Sequence, residues 1–115
     1  MLGEQDMVRL RHMRDATRDV LEFTRGRSRD DLGCDRMLAF AVVRGIEIIG
    51  EAAAQVSKET QTLHRQLPWA DIVGMRNRLI HGYADVDPDR VWVTVCQDLP
   101  KLLDELLAIL GEADQ

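Results

Sequence analysis

The sequence predicts an all-α fold: a four- to five-helix up-and-down bundle in which residues 1–115 form a single domain. Three observations carry that prediction. Apolar residues recur at three- and four-residue spacing over most of the chain, the signature of helices that bury one face. Strand signals are absent, because there are five aromatics and no alternating run bounded by turn residues. Helix-stop and helix-start residues fall between the periodic stretches at Gly26, Pro68 and Asp87-Pro88.

The first helix is expected from Asp6 to about Arg25. Met7, Leu10, Met13, Thr17, Val20, Leu21 and Thr24 share a face, and Gly26 follows as a stop. Residues 27–33 are charged and read as a loop. A second helix should run from Asp35 to Val56, with Leu38, Val42, Ile46, Ile49, Ala53 and Val56 as its main stripe and Ala41, Val43, Ile48 and Ala52 widening it. So broad an apolar surface belongs at the centre of a bundle or at a subunit interface. Gly45 and Gly50 each cost this helix about 1 kcal/mol relative to alanine, which close approach of a neighbouring helix would justify.

Residues 57–67 are polar and weakly patterned and read as a frayed extension plus a loop. Pro68 suits the first turn of a short helix with Trp69, Ile72, Val73 and Ile80 on its apolar face, ending near Gly82. The chain restarts at Asp87, which can cap exposed amides, followed by Pro88 at the first helical position and Asp89 at the positive end of the dipole. The last helix should extend to about Leu110 on Val91, Val95, Leu99, Leu102, Leu106 and Ile109, with a kink near Cys96 because Pro100 lacks a backbone donor.

Composition limits the function. Lys and Arg total 15 against 20 Asp and Glu, a net charge of -5, so nucleic acid cannot be held through a broad cationic surface. A local site or an assembled oligomer would be required. No uncharged stretch is longer than that from Met37 to Val43, far short of the roughly 20 apolar residues of a membrane span. The acidic start, Met1 to Asp6, lacks a basic region followed by an apolar one, so no secretory signal is expected. Two cysteines, Cys34 and Cys96, supply neither a disulfide framework nor a four-thiolate metal site, and reduced thiols in a cytoplasm are the simplest reading.

The densest polar cluster runs from Arg76 to Tyr83. At about 100° per helical residue, Asn77 and His81 share a face, and Arg76 nearly superimposes on Tyr83. Arg76 and His81 differ by about 140°, so one regular helix cannot set them side by side. Either the helix is distorted before Gly82, or the site combines residues of two copies. A histidine near a helix's negative end is biased toward its charged form. With an arginine that can bind phosphate bidentately, it is a minimal kit for cleaving a phosphodiester. Spacing alone equally allows a solvated face with a capping histidine.

Arg76, four residues, His81, one residue, Tyr83 resembles the Arg-x4-His-x-Tyr motif of the HEPN superfamily, and the chain is similar in particular to HepT-like ribonuclease toxins. The resemblance extends to the helix from Arg44 to Ala52, to Trp69, Ile72 and Gly74–Asn77, to the run from Asp87 to Trp92, and to Asp98–Pro100. Four segments in the right order, over roughly residues 5–110, are far more specific than the motif alone. The resemblance implies a homodimer whose two motifs face each other across the interface, with metal-independent endoribonuclease chemistry and no cofactor. It implies His81 as general acid or base, Arg76 as the group stabilising the phosphorane, and Asn77 as a supporting polar group. It also implies a cognate nucleotidyltransferase antitoxin that adenylylates Tyr83, and an RNA substrate attacked by its own 2′-hydroxyl.

Other constellations are weaker. His12, His64 and His81 have no metal-ligand spacing. Cys96 falls in an apolar helix and reads as packing rather than as a nucleophile. Arg78 is a possible RNA contact, though a solvated arginine fits as well. Glu47 and Glu51 could pair with Arg44 or with the facing motif, an interface ion pair fitting better than catalytic carboxylates; Arg11, Arg14, Arg18 and Arg25 share one helix side and could steer RNA, though the interspersed Asp15, Asp19 and Glu22 fit an ordinary ion-paired surface. A catalytically silent helical module that binds a nucleotidyltransferase or a nucleotide stays open as the alternative, favoured by the acidic net charge; a purely structural dimer is a third reading.

Overall fold

The computed structural model describes residues 3–79 and 87–111, apart from the side chains of Arg76, Arg78 and Leu79. The described residues are all-helical. Four longer helices, α1 (Glu4–Phe23), α3 (Arg36–Ala54), α5 (Trp69–Leu79) and α7 (Leu99–Leu110), alternate with short ones, α2 (Arg29–Cys34), α4 (Lys58–Leu63) and α6 (Pro88–Val93). A π-helical segment, Thr94–Asp98, joins α6 to α7.

Helix α3 is central. It packs on both α1 and α5, while α7 packs on α1. Its expected stripe is buried: Val42, Ile46, Ile49 and Ala53 are fully inaccessible, and Leu38 and Val56 nearly so. They meet Leu10, Met13 and Val20 of α1 and Leu99 and Leu106 of α7 in one cluster. The two glycines of α3 lie where neighbours come closest. A methyl group on Gly45 would overlap Val20 Cγ2 on α1, and one on Gly50 would sit 3.3 Å from the Ile72 carbonyl oxygen on α5.

Two threonines, Thr17 within α1 and Thr24 as its C-cap, are buried because their hydroxyls are satisfied locally. Thr17 donates to the Met13 carbonyl at 2.7 Å and Thr24 to the Val20 carbonyl at 2.8 Å. Gly26 adopts a φ of 72°, which explains why the chain turns out of α1 there.

Two stretches expected to be loops are helical. In residues 27–33, Ser28 is an N-cap whose N–H donates to Asp31 Oδ2 at 2.7 Å, and Arg27 pairs with Asp31 at 3.3 Å and Asp35 at 2.8 Å. Charge density there marks a capped turn, not irregular chain. In residues 57–67, Ser57 caps α4 by accepting from the Thr60 N–H at 3.2 Å. Asp6 of α1 accepts from the Ser57 N–H at 3.0 Å and from the Ser57 hydroxyl at 2.6 Å, and also from the Thr60 hydroxyl. A polar latch across the bundle therefore stabilises a helix that periodicity did not reveal.

The disturbance expected from Pro100 takes the form of the π segment. Leu99 N–H donates to the Thr94 carbonyl, five residues back, and Pro100 has no N–H to offer Cys96. The wider turn helps keep Val91, Val95 and Leu99 buried despite their four-residue spacing. Cys96 itself is exposed, which corrects its reading as a packing residue. Among the described residues, no helix is long and apolar enough to cross a membrane.

Candidate functional site

The motif begins in the last turn of α5, so whatever fixes α5 fixes Arg76. Pro68 precedes the helix rather than occupying its first turn, and its carbonyl accepts the Ile72 N–H at 2.9 Å. Trp69 is buried, and its indole N–H donates to the His64 carbonyl at 3.0 Å. Ile72 and Met75 complete the inward face. Val73, expected on that face, is 39% exposed, because Trp69, Ile72 and Met75 at three-residue spacing turn it outward. Gly50 lets the backbone of α5 lie against α3, which sets the depth of α5 in the bundle.

This anchoring carries Arg76, Asn77 and Arg78 as the three residues before Leu79. Asn77 is exposed, consistent with a polar group on the outward side of α5. The side chains of Arg76 and Arg78 lie outside the described residues, as do His81 and Tyr83 in residues 80–86; Ile80 and the helix end expected near Gly82 lie outside them too. The structure therefore positions the backbone that leads into the motif and the backbone that leads out of it.

The exit is well defined. Asp87 Oδ1 accepts from the N–H groups of Asp89 at 3.1 Å and Arg90 at 3.3 Å, with Pro88 in the first turn, the cap that the sequence predicts. Arg29 of α2 adds a tie that sequence reasoning missed, its Nε donating to Asp89 Oδ1 at 2.6 Å. Asp89 raises the Arg29 pKa through that hydrogen bond first and its charge second. The only sequence signal was the capped turn beginning at Ser28, which makes Arg29 the first residue of a helix. The start of α6 is thus held by a cap and an ion pair, as α5 is held by its buried inward face.

On α3, beside α5, Arg44 Nη1 lies 3.6 Å from both Glu47 Oε1 and Glu51 Oε2, an ion-paired group as expected. The arginines of α1 and of the turn after it are paired in part, Arg14 with Asp15 at 2.9 Å and Arg25 with Glu22 at 3.1 Å. Among the described residues, no group of three or more His, Cys, Asp or Glu side chains is arranged to hold a metal ion.

A chain whose described residues are all-helical and whose sequence carries an Arg-x4-His-x-Tyr motif has the features of the HEPN-type class. Residues 13–109 match the model of the family described as "Ribonuclease HepT-like". The chain is 42% identical over 83 residues, 72% of its length and 76% of the relative's, to "Probable ribonuclease HepT" of Thermococcus cleftensis. It is 37% identical over 101 residues, 88% of its length and 90% of the relative's, to "Putative RNase TTE0752" of Caldanaerobacter subterraneus subsp. tengcongensis. A Methanocaldococcus jannaschii protein named "Gamma-glutamylcyclotransferase and putative RNase MJ0434" is 35% identical over 94% of this chain, which spans 49% of that longer relative. No solved structure matches the chain. The chain belongs to the HepT-like ribonuclease family.

Proposed function

We propose that this protein is a metal-independent endoribonuclease toxin that acts as a homodimer in the cytoplasm. The observation that carries this reading is an intact Arg76-x4-His81-x-Tyr83 motif in a chain of the HepT-like ribonuclease family. The RNA 2′-hydroxyl oxygen attacks the adjacent phosphorus and loses its proton. The bond from phosphorus to the 5′-oxygen breaks, and that oxygen gains a proton, leaving a 2′,3′-cyclic phosphate and a free 5′-hydroxyl. His81 handles proton transfer as general acid or base. Arg76 neutralises charge that builds on the phosphorane through a bidentate contact, Asn77 supports the imidazole from one turn away, and Arg78 contacts RNA phosphate. Because the nucleophile is the 2′-hydroxyl, DNA is inert.

A second copy answers the angular problem. With about 140° between Arg76 and His81 on one helix, two motifs facing across a dimer interface bring a guanidinium and an imidazole to one phosphate. A cognate nucleotidyltransferase antitoxin silences the toxin by attaching AMP to Tyr83. The added phosphate would lie over Arg76, seven residues earlier, and occupy the place of the scissile phosphate.

The test is incubation with transfer RNA and messenger RNA in the presence of a chelator. Wild type should cut, whereas Arg76→Ala and His81→Ala should lose cleavage and growth arrest at unchanged dimer mass. Mutants as active as wild type would refute the catalytic assignment. Absence of cleavage by wild type and mutants alike would favour the silent binding module that the net charge of -5 allows.

A further inference from the structure

Helix α3 buries one face in the bundle, yet its opening turns keep a second face bare. Met37 is 83% exposed and Phe40 65%, the two most exposed large apolar side chains among the described residues. They stand three residues apart on one helix, so they form a patch rather than scattered points. Arg36, Phe40 and Arg44 follow one another at four-residue spacing, and all three are exposed. They therefore make a row over about 12 Å of one helix face, the ring between two guanidinium groups.

The row has the parts that hold a single nucleic-acid strand. A base has a π face that stacks on an aromatic ring, and the phosphates on either side of it pair with arginine. Arg36 sets its guanidinium carbon 5.4 Å from the centroid of the Phe40 ring and pairs with no carboxylate of the described residues. Arg44 reaches Glu47 and Glu51 at 3.6 Å each, long contacts on an exposed side chain that a phosphate can displace. Residues 36–46 carry two arginines and no acid in a chain of net charge -5, the local site that binding of a polyanion requires. A second copy fits this face less well. An isologous contact of antiparallel α3 helices centred on Phe40 would set Arg36 of one copy against Arg44 of the other, like charge on like.

We infer that Arg36, Phe40 and Arg44 form a stacking platform for single-stranded RNA, in addition to the Arg76–His81 motif. A base stacks on the Phe40 ring, Met37 extends the apolar floor, and the two guanidinium groups take the phosphates on either side. Every base offers a π face, so the platform holds a strand without choosing its sequence. It touches no reacting atom, which makes Phe40 a binding residue and not a catalytic one. The choice of RNA as the ligand rests on the ribonuclease reading.

The experiment follows the fluorescence anisotropy of a labelled 2′-O-methyl oligoadenylate titrated with the full chain. This probe cannot be cut, because its 2′-oxygen is blocked. Saturable binding is expected. Phe40→Ala should weaken it about tenfold, and Phe40→Trp should keep it, since a larger ring stacks as well. Arg36→Gln and Arg44→Gln should each weaken binding and flatten the slope of log affinity against log salt by about 0.7, the effect of one phosphate contact on a single strand. Leu63→Ala, at a comparably bare apolar residue on α4, should change nothing. All four substituted side chains are exposed, so the variants should fold. With cleavable RNA, Phe40→Ala should raise KM. Absence of binding by wild type overturns the inference, as does Phe40→Ala binding like wild type or arginine variants that keep the full salt slope. A changed oligomer mass in Phe40→Ala would assign the patch to a contact between copies and overturn it too. The two readings fail separately. Phe40-dependent binding without cleavage of natural RNA removes the ribonuclease chemistry and keeps the platform, whereas cleavage by Phe40→Ala at the wild-type KM removes the platform and keeps the chemistry.

Discussion

Gly45 lies so close to Val20 that a single methyl group on the glycine would overlap the valine's Cγ2. This contact holds α1 and α3 at their closest, between a residue with no side chain and one that is fully buried. Gly45→Ala should therefore destabilise the protein, although alanine favours a helix interior by about 1 kcal/mol. Overpacking costs about 1–3 kcal/mol, so a net loss of about 1 kcal/mol in chemical denaturation is expected. Val20→Ala in the same chain should recover part of it, because the two sites share the contact.

The latch between Asp6 and α4 predicts a pH dependence. Hydrogen bonds from Ser57 and Thr60 hold the Asp6 carboxyl below the ordinary carboxylate value of about 3.9. The folded pKa is depressed, so the stabilisation is full above that ordinary value and is lost as pH falls through the folded one. Thermal melts of wild type and Asp6→Asn should differ by a constant margin from pH 7 down to about 5 and converge in stronger acid. A margin that persists at pH 2 would show that the carboxylate charge is not what matters.

Removal of the cap on α6 should be felt locally. Asp87→Ala deprives the Asp89 and Arg90 N–H groups of their acceptor. Loss of an N-cap costs about 1 kcal/mol. Hydrogen exchange should accelerate at those two amides while the buried amides of α3 stay protected.

Regulation can be separated from catalysis at the motif tyrosine. Tyr83→Phe keeps the ring and removes the hydroxyl that would accept AMP. The variant should cut RNA at close to the wild-type rate and escape silencing by the nucleotidyltransferase, measured as cleavage after incubation with the antitoxin and ATP. If Tyr83→Phe is silenced as fully as wild type, adenylylation at this position is not the mechanism.

The capped start of α6 illustrates what a sequence can carry. Asp87, Pro88 and Asp89 each act within one turn of their own position, so their roles are fixed by local backbone geometry. Ser28 and Asp31 form a comparable signal, but their surrounding charges made α2 read as a loop. Ser57 is different. Its helix leans on Asp6, 51 residues away, and no pattern within residues 57–67 encodes that partner.

The candidate site divides along the same line. The Arg44–Glu47–Glu51 group was legible in residue types and spacing, and the family in the resemblance that the Arg76, His81 and Tyr83 motif and its flanking segments carry. The Arg29–Asp89 tie was not, nor was the exposure of Val73 and Cys96, because each depends on which helix lies alongside.

The sequence by itself determined the helical class, the buried stripes of α1, α3 and α7 and the residues of the motif, since all follow from periodicity and short-range chemistry. Only the tertiary structure decided that α2 and α4 are helices, that the π turn absorbs Pro100, and that Arg29 ties α2 to the start of α6. The physical reason is that these features depend on contacts between segments far apart in the chain, whose energies no local window contains.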